Sequence, residues 1–84
     1  MKLYLLSQSE NNGYDTYDSC VVCAENEDEA KSITPNFSEK GKAFEPSDPY
    51  GVWAYSLEGV KCKYIGEASD DLSKGVVIAS FNAG

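Results

Sequence analysis

Two cysteines stand three residues apart, a spacing that can bind zinc or exchange a disulfide. Cys20 and Cys23 form this pair, and Cys62 is the third cysteine. A structural zinc site needs four ligands, whereas the sequence has no second such pair and no histidine. Redox pairs sit at helix N-termini, but residues 19–24 are predicted to form a strand, which directs the two thiols to opposite faces. We therefore expect ordinary buried thiols and no metal or other cofactor.

A segment that interleaves tyrosine with carboxylates follows an Asn-Gly turn. Its functional groups belong to Tyr14, Asp15, Tyr17 and Asp18. The carboxylates could take part in a hard-cation site, although the EF-hand spacing with its late glutamate is absent. Tyrosine offers a large contact area at low entropic cost, so the segment also suits a protein-binding surface. The third interpretation is a turn that runs into a strand, with the tyrosines packed.

Four further acids follow the second predicted strand. They are Glu25, Glu27, Asp28 and Glu29. Asn26 can cap a helix, Glu29 can complete a capping box, and carboxylates suit the positive end of the helix dipole. These acids are either a solvated helix start or a contact patch for a basic partner.

The remaining aromatic and catalytic signals are weak. Trp53, between Tyr50 and Tyr55, is interpreted as a core residue or as a partner hot spot. Without histidine no nucleophile–base pair of the usual kind exists, and the glycines do not form a phosphate loop. We therefore do not expect an enzyme.

The composition gives the chain a strongly acidic balance. Its 84 residues include 14 Asp or Glu against 7 Lys, with no Arg, for a net charge of -7 at pH 7. Such a chain is repelled by nucleic acid and attracted to basic surfaces. Residues 1–30 hold seven acids and one lysine, so most of this charge lies in the first third. We expect a protein partner with a basic surface and no direct contact with nucleic acid.

No segment is typical of a membrane span or an export signal. The longest apolar run, residues 75–79, is far shorter than the ~18 residues of a span. The apolar stretch after Lys2 is also shorter than the ~7–15 residues of a signal peptide. We expect a cytoplasmic protein, without membrane contact, whose cysteines stay reduced.

Alternation and turn signals divide residues 1–84 into the elements of one α+β domain. Residues 3–7, 19–24, 60–65 and 76–81 are predicted strands, and residues 52–55 a short additional strand. A helix is predicted between Asn26 and Pro35, since proline disfavours helical geometry in the residue before it. The connection at about residues 36–51 holds two prolines and two glycines and is predicted to be irregular.

The order β-β-α-β-β indicates an antiparallel sheet of four to five strands with one short helix on a face. Residues 19–24 are apolar on both faces and are predicted to be a central strand. Lys61 and Lys63 suit an exposed face or edge. One short helix covers only part of a sheet, so an exposed apolar remainder would favour a homodimer or another partner.

Several segments together resemble short proteins encoded by bacteriophages and prophages. They are residues 12–19 (NGYDTYDS), the strand residues 21–22 leading into the acidic residues 27–30, residues 65–68 (IGEA) and residues 79–84 (ASFNAG). The resemblance covers both ends of the chain but not residues 36–56, and it brings no catalytic residue with it. It implies a phage setting, in which small acidic proteins bind a host defence component, as anti-CRISPR proteins do, some by imitating DNA.

The favoured hypothesis is a non-catalytic phage accessory protein that binds and inhibits a host defence protein by blocking its nucleic-acid site. The contact is expected to be one acidic face from residues 10–29, with Tyr14 and Tyr17 as anchors. Its carboxylates would be those of Asp15, Asp18, Glu25, Glu27, Asp28 and Glu29. The alternative is an oligomer that binds a small ligand or nucleotide and sequesters a signal molecule, with phosphate held by Lys61, Lys63 or backbone amides.

Overall fold

The computed structural model describes residues 1–36, 40–44 and 51–82. Its elements are β1 (Lys2–Ser7), β2 (Thr16–Ala24), α1 (Glu27–Lys31), β3 (Ile33–Thr34), β4 (Lys42–Ala43), a 3-10 helix (Leu57–Gly59), β5 (Lys61–Glu67) and β6 (Gly75–Asn82). The predicted α+β class with a short helix and an antiparallel sheet is confirmed. The strand count differs, because β3 and β4 form a separate two-stranded sheet that the sequence did not predict.

The main sheet has the strand order β5-β1-β2-β6, and all neighbouring strands are antiparallel. The predicted central position of residues 19–24 is confirmed, since β2 lies between β1 and β6. β2 begins earlier than predicted, at Thr16, because residues 16–17 pair with the last residues of β6. β5 is an edge strand, as Lys61 and Lys63 indicated.

One face of the main sheet, here called the core face, carries the hydrophobic core. Leu6, Cys20 and Val22 lie on it, with Ala30 of α1 and Trp53 packed against them. All five are at most 2% exposed. Burying a large apolar side chain contributes about 1.5–3 kcal/mol, so this layer is the main source of stability. The interpretation of Trp53 as a core residue is confirmed, whereas Tyr50 lies outside the described residues.

The opposite face, here called the open face, carries a row of apolar side chains across three strands. Leu5 is opposite Val21, and Val21 is opposite Ile78. Leu5 is 37% exposed and Ile78 is 66% exposed. A shallow groove of about 200 Å³ runs along this row. The exposed apolar remainder of the sheet therefore lies on the face away from α1.

The helix begins as predicted and ends earlier. The Oδ1 atom of Asn26 accepts a hydrogen bond from the backbone N–H of Glu29 at 2.8 Å, which confirms the cap. The Glu29 carboxylate accepts a hydrogen bond from the N–H of Glu25 at 2.9 Å instead of closing the box on Asn26. α1 stops at Lys31, because the next residues become extended and pair with β4.

Residues 52–55 do not form the predicted strand. The backbone carbonyl of Val52 accepts one hydrogen bond, from the N–H of Tyr17 at 2.7 Å. The carbonyl of Trp53 accepts its hydrogen bond from the Nδ2 of Asn11 at 3.1 Å. One backbone N–H of β2 and the side chain of Asn11 thus satisfy carbonyl groups that a strand would pair in a ladder, and the segment forms an ordered loop.

The predicted irregular connection at residues 36–51 is partly described. Within it, Lys42–Ala43 forms β4, which pairs with β3. Residues 37–39 and 45–50 lie outside the described residues. In the parts of the chain that are described, no helix has the length and apolar character needed to cross a lipid bilayer.

Candidate protein-interaction surface

The predicted acidic residues fall at two opposite ends of the main sheet. Asp15 immediately precedes the nine-residue strand β2, and Glu25 immediately follows it. A strand rises ~3.3 Å per residue, so these two residues lie roughly 30 Å apart. We call the end at which β2 stops and α1 begins the α1 end, and the end that holds residues 8–15 and 51–60 the loop end. The expectation of a single acidic face from residues 10–29 is therefore wrong.

At the loop end, the Asn-Gly turn is fastened to the end of β6. The backbone N–H of Asp15 donates a hydrogen bond to the carbonyl of Asn82 at 2.7 Å, and Asp15 has a positive φ of 59°. The hydroxyl of Thr16 donates to the carbonyl of Gly13 at 2.7 Å. Between them Tyr14 projects outward and is 79% exposed. Tyr14 and Asp15 are thus presented together on an ordered turn.

Tyr17 is not available as a surface anchor. It is only 8% exposed, and its ring lies 4.9 Å from the ring of Phe81. A bulge between Tyr17 and Ser19 shifts the alternation of β2, so that Tyr17 joins the core. Asp18 occupies the bulge and is exposed, and its carboxylate accepts a hydrogen bond from the Ser19 hydroxyl at 3.2 Å.

At the α1 end, three of the four predicted acids are free to meet a partner. Glu25, Glu27 and Asp28 are exposed. Glu29 is partly buried, and its carboxylate contacts the Lys74 ammonium at 3.1 Å. The backbone hydrogen bond from Glu25 and the contact with Lys74 lower the pKa of Glu29. Glu29 therefore links α1 to the residue before β6, whereas the other three carboxylates face solvent.

Three acids outside the predicted contact, Glu67, Asp70 and Asp71, also lie at the α1 end. β5 ends at the α1 end, because Lys2 lies opposite both Ala24 and Glu67. The turn that follows also lies there, and its Asp70 and Asp71 are exposed, as is Glu67. The pairing of β5 with β1 brings these residues to the helix start. The alternation of apolar and polar residues over 60–65 predicts a strand, but it does not identify β1 as the strand with which it pairs.

The α1 end thus presents six exposed carboxylates from two separate segments of the chain. These carboxylates belong to Glu25, Glu27, Asp28, Glu67, Asp70 and Asp71. Lys2, Lys31, Lys40 and Lys74 lie in the same region, so the charge is mixed with an acidic excess. The loop end has fewer free acids, because the carboxylate of Glu10 accepts hydrogen bonds within the protein.

Lysines line two shallow grooves, the first of which adjoins the α1 end at Glu29. Lys40, Lys42 and Lys74 line a groove of about 240 Å³ between the β3–β4 sheet and the start of β6. Lys61 and Lys63 line another of about 230 Å³ on the open face beside Leu5. The first groove gathers three of the seven lysines of the chain, and this larger group was not anticipated.

The Cys-x-x-Cys pair behaves as predicted from its place in a strand. Cys20 lies on the core face, and Cys23 lies on the open face with its Sγ 3.8 Å from the Sδ of Met1. All three cysteines are free, and burial raises the pKa of the Cys20 thiol to about 12. A thiol with this pKa is almost entirely protonated near neutral pH and is a poor nucleophile.

The described residues contain no group of three or more His, Cys, Asp or Glu side chains arranged to hold a metal ion. What the surface offers is charge and exposed apolar area, both of which serve binding. No protein-family model, curated protein or solved structure matches this chain.

Proposed function

We propose that the protein is a non-catalytic inhibitor that binds a basic surface of another protein through the α1 end. The observation that carries this proposal is the gathering of six exposed carboxylates, from residues 25–28 and 67–71, at one end of the sheet. Several carboxylates on one surface can contact several lysine or arginine side chains of a partner at once. Such complementarity speeds association and selects partners of opposite charge.

The proposed partner is a host protein that uses the same basic surface to bind nucleic acid. With its net charge of -7, this protein is attracted to the same basic surface that attracts nucleic acid. The two would therefore compete for the partner. The mechanism is steric blockade of the nucleic-acid site. The resemblance of residues 12–19 and 79–84 to phage-encoded proteins makes a host defence protein, met in the host cytoplasm, the proposed target.

The experiment compares variants that each remove three charges from one place. One replaces Glu25→Gln, Glu27→Gln and Asp28→Asn at the α1 end. The second replaces Glu67→Gln, Asp70→Asn and Asp71→Asn at the same end. The control replaces Asp15→Asn, Asp18→Asn and Glu58→Gln at the loop end. Each set changes the net charge from -7 to -4.

Tagged proteins are used to capture partners from a bacterial lysate at low and high salt, with circular dichroism as a check of folding. We expect a partner retained at low salt by the native chain and the control, and lost by both α1-end variants. Retention by all four proteins, or the absence of a partner at either salt, would contradict the proposal.

The lysine groove favours a second candidate function, which is binding of a phosphorylated small molecule. Lys40, Lys42 and Lys74 line a cleft together with Glu29, whose carboxylate contacts Lys74. The cleft volume of about 240 Å³ is below the ~300–1,000 Å³ of most ligand sites. A nucleotide would therefore need a further wall, such as one from another copy of the chain. Calorimetry with mono- and dinucleotides tests this candidate, with Lys61→Gln as the control for Lys42→Gln. Binding that only Lys42→Gln weakens would support it.

A further inference from the structure

Asn12 and Gly13 form a pair of neighbours that can react with each other in the turn at the loop end. Both residues are exposed. Within the described residues, no hydrogen bond involves the side chain of Asn12 or the backbone N–H of Gly13. Asparagine is among the thermolabile residues, and its side-chain amide carbon can be attacked by the backbone nitrogen of the next residue. A group held beside its target reacts much faster than one that must diffuse to it.

The fold itself does not require a glycine at position 13. Gly13 is not among the glycines with positive φ, and a Cβ built on it would meet no atom within 4 Å. By contrast, a Cβ on Gly75 would lie 2.8 Å from the carbonyl oxygen of Lys40. A side chain on the attacking residue hinders ring closure, and glycine has none. The glycine therefore leaves its nitrogen open to attack Asn12.

The adjacent Asn11 is held by the same loop in a way that protects its amide. Its Nδ2 donates to the carbonyl of Gly51 at 2.9 Å and to the carbonyl of Trp53 at 3.1 Å. Asn11 is also only partly exposed, and the residue that follows it carries a side chain. Both hydrogen bonds must break before this amide can turn towards the next backbone nitrogen. Of two neighbouring asparagines, the fold thus leaves only Asn12 free to react.

We propose that Asn12 is a site of spontaneous deamidation to aspartate and isoaspartate. The Gly13 nitrogen loses its proton to solvent and forms a bond with the Cγ of Asn12. The bond from this Cγ to Nδ2 breaks, and the side-chain nitrogen takes up a proton and leaves as ammonia, so that a succinimide ring remains. Water then adds to one of the two ring carbonyl carbons and breaks its bond to the Gly13 nitrogen, which regains a proton. One water is consumed and one ammonia is released, with no oxidation or reduction.

The isoaspartate product alters the backbone that fastens the loop end. Its main chain runs through the Cβ of residue 12 and is one methylene longer, which displaces the carbonyl of Gly13. That carbonyl accepts hydrogen bonds from the Thr16 hydroxyl at 2.7 Å and from the Nδ2 of Asn82 at 3.2 Å. These two bonds join the turn to the start of β2 and the end of β6. Isoaspartate at this position therefore loosens the loop end.

Both products also change the charge of the protein. A carboxylate replaces a neutral amide, which adds one negative charge to the net charge of -7. The site lies at the loop end and not at the α1 end. The modification can therefore stand or fail independently of the proposed inhibitory function.

The test incubates the native chain, Gly13→Ala and Asn12→Gln at physiological temperature and mildly alkaline pH. Tandem mass spectrometry assigns each amide-to-acid conversion to residue 11 or 12, and an isoaspartate methyltransferase labels the isoaspartate product. We expect conversion at Asn12 in the native chain, several times slower in Gly13→Ala and lost in Asn12→Gln, whose longer side chain closes a less favourable ring. Unfolding in urea should accelerate the conversion of Asn11 severalfold, because its two hydrogen bonds are then lost.

The aged protein tests the structural consequence. The isoaspartate form, separated by chromatography, should unfold at a lower urea concentration than the unmodified chain, whereas Asn12→Asp should unfold close to it. The inference would be overturned by an Asn12 that stays intact over weeks, by equal rates in the native chain and Gly13→Ala, or by an Asn11 that reacts as fast as Asn12 in the folded protein. An isoaspartate form as stable as the native chain would contradict the loosening of the loop end. Circular dichroism verifies that each variant is folded.

Discussion

The carboxylate of Glu10 accepts a hydrogen bond from the backbone N–H of Ser56 at 3.1 Å and from the Ser56 hydroxyl at 3.2 Å. The N–H of Tyr55 donates to the same oxygen at 3.1 Å. One acid from the loop after β1 thus fastens the segment that leads into the 3-10 helix. This contact spans more than forty residues of sequence and fixes the loop end.

We expect Glu10→Ala to destabilise the protein by about 1–3 kcal/mol, because hydrogen bonds to a charged group are lost and backbone N–H groups lose their acceptor. Denaturant unfolding measures this change. Glu58→Gln, at an exposed acid of the same end, is the control and should change stability by less than about 0.5 kcal/mol. Equal effects of the two substitutions would contradict the role assigned to Glu10.

The contact of Glu29 with Lys74 and Glu25 predicts a pH dependence. The folded pKa of Glu29 is lowered, so the unfolded chain binds its proton at higher pH than the folded protein does. The stabilisation is therefore present above the unfolded pKa and is lost as the pH falls through the folded pKa. The stability difference between the native chain and Glu29→Gln should shrink on acidification. A difference independent of pH between 7 and the acid limit of folding would refute this assignment.

Gly41 holds the β3–β4 sheet against β6 in a conformation that suits glycine. Its φ is +80°, and an added Cβ would lie 2.7 Å from both the Thr34 carbonyl oxygen and a methyl group of Val76. We expect Gly41→Ala to destabilise the fold by about 1–3 kcal/mol. Gly13→Ala is the matched control, because its Cβ would meet no atom within 4 Å. Thermal unfolding of both variants checks the prediction, and a Gly41→Ala variant as stable as the control would count against it.

The cysteines should differ in reactivity according to burial. Cys20 and Cys23 are buried, whereas Cys62 is partly exposed. Burial is the main cause that raises the pKa of Cys62, and the nearby Glu27 raises it further, so even this thiol should react slowly. Under native conditions we expect an alkylating reagent to modify Cys62 first, and all three thiols only after denaturation. Mass spectrometry of the labelled protein would reveal early labelling of Cys20, which would contradict the assigned packing.

Local signals in the sequence predicted local structure well. The Asn26 cap needs only the residue three positions later, and the strand character of residues 3–7 and 19–24 follows from their own side chains. The failures involve distant partners. Residues 52–55 have the composition of a strand, but Asn11 supplies one of their hydrogen bonds from more than forty residues away.

The candidate surface was harder to predict for the same reason. A single bulge in β2 places the Tyr17 side chain on the core face of the sheet, and no residue type in the sequence predicts that bulge. The length of β2 separates Asp15 from Glu25, and the pairing of β5 with β1 brings Glu67 to Lys2. Which acids share a surface therefore depends on strand register, which the sequence leaves open.

The most direct test of the α1 end as the recognition surface is an NMR titration of the isotopically labelled protein with a polylysine peptide. We expect the largest backbone shift changes in residues 25–28 and 67–71, removed by added salt, and small changes in residues 13–18. Equal changes at both ends of the sheet, or changes confined to the loop end, would contradict the account.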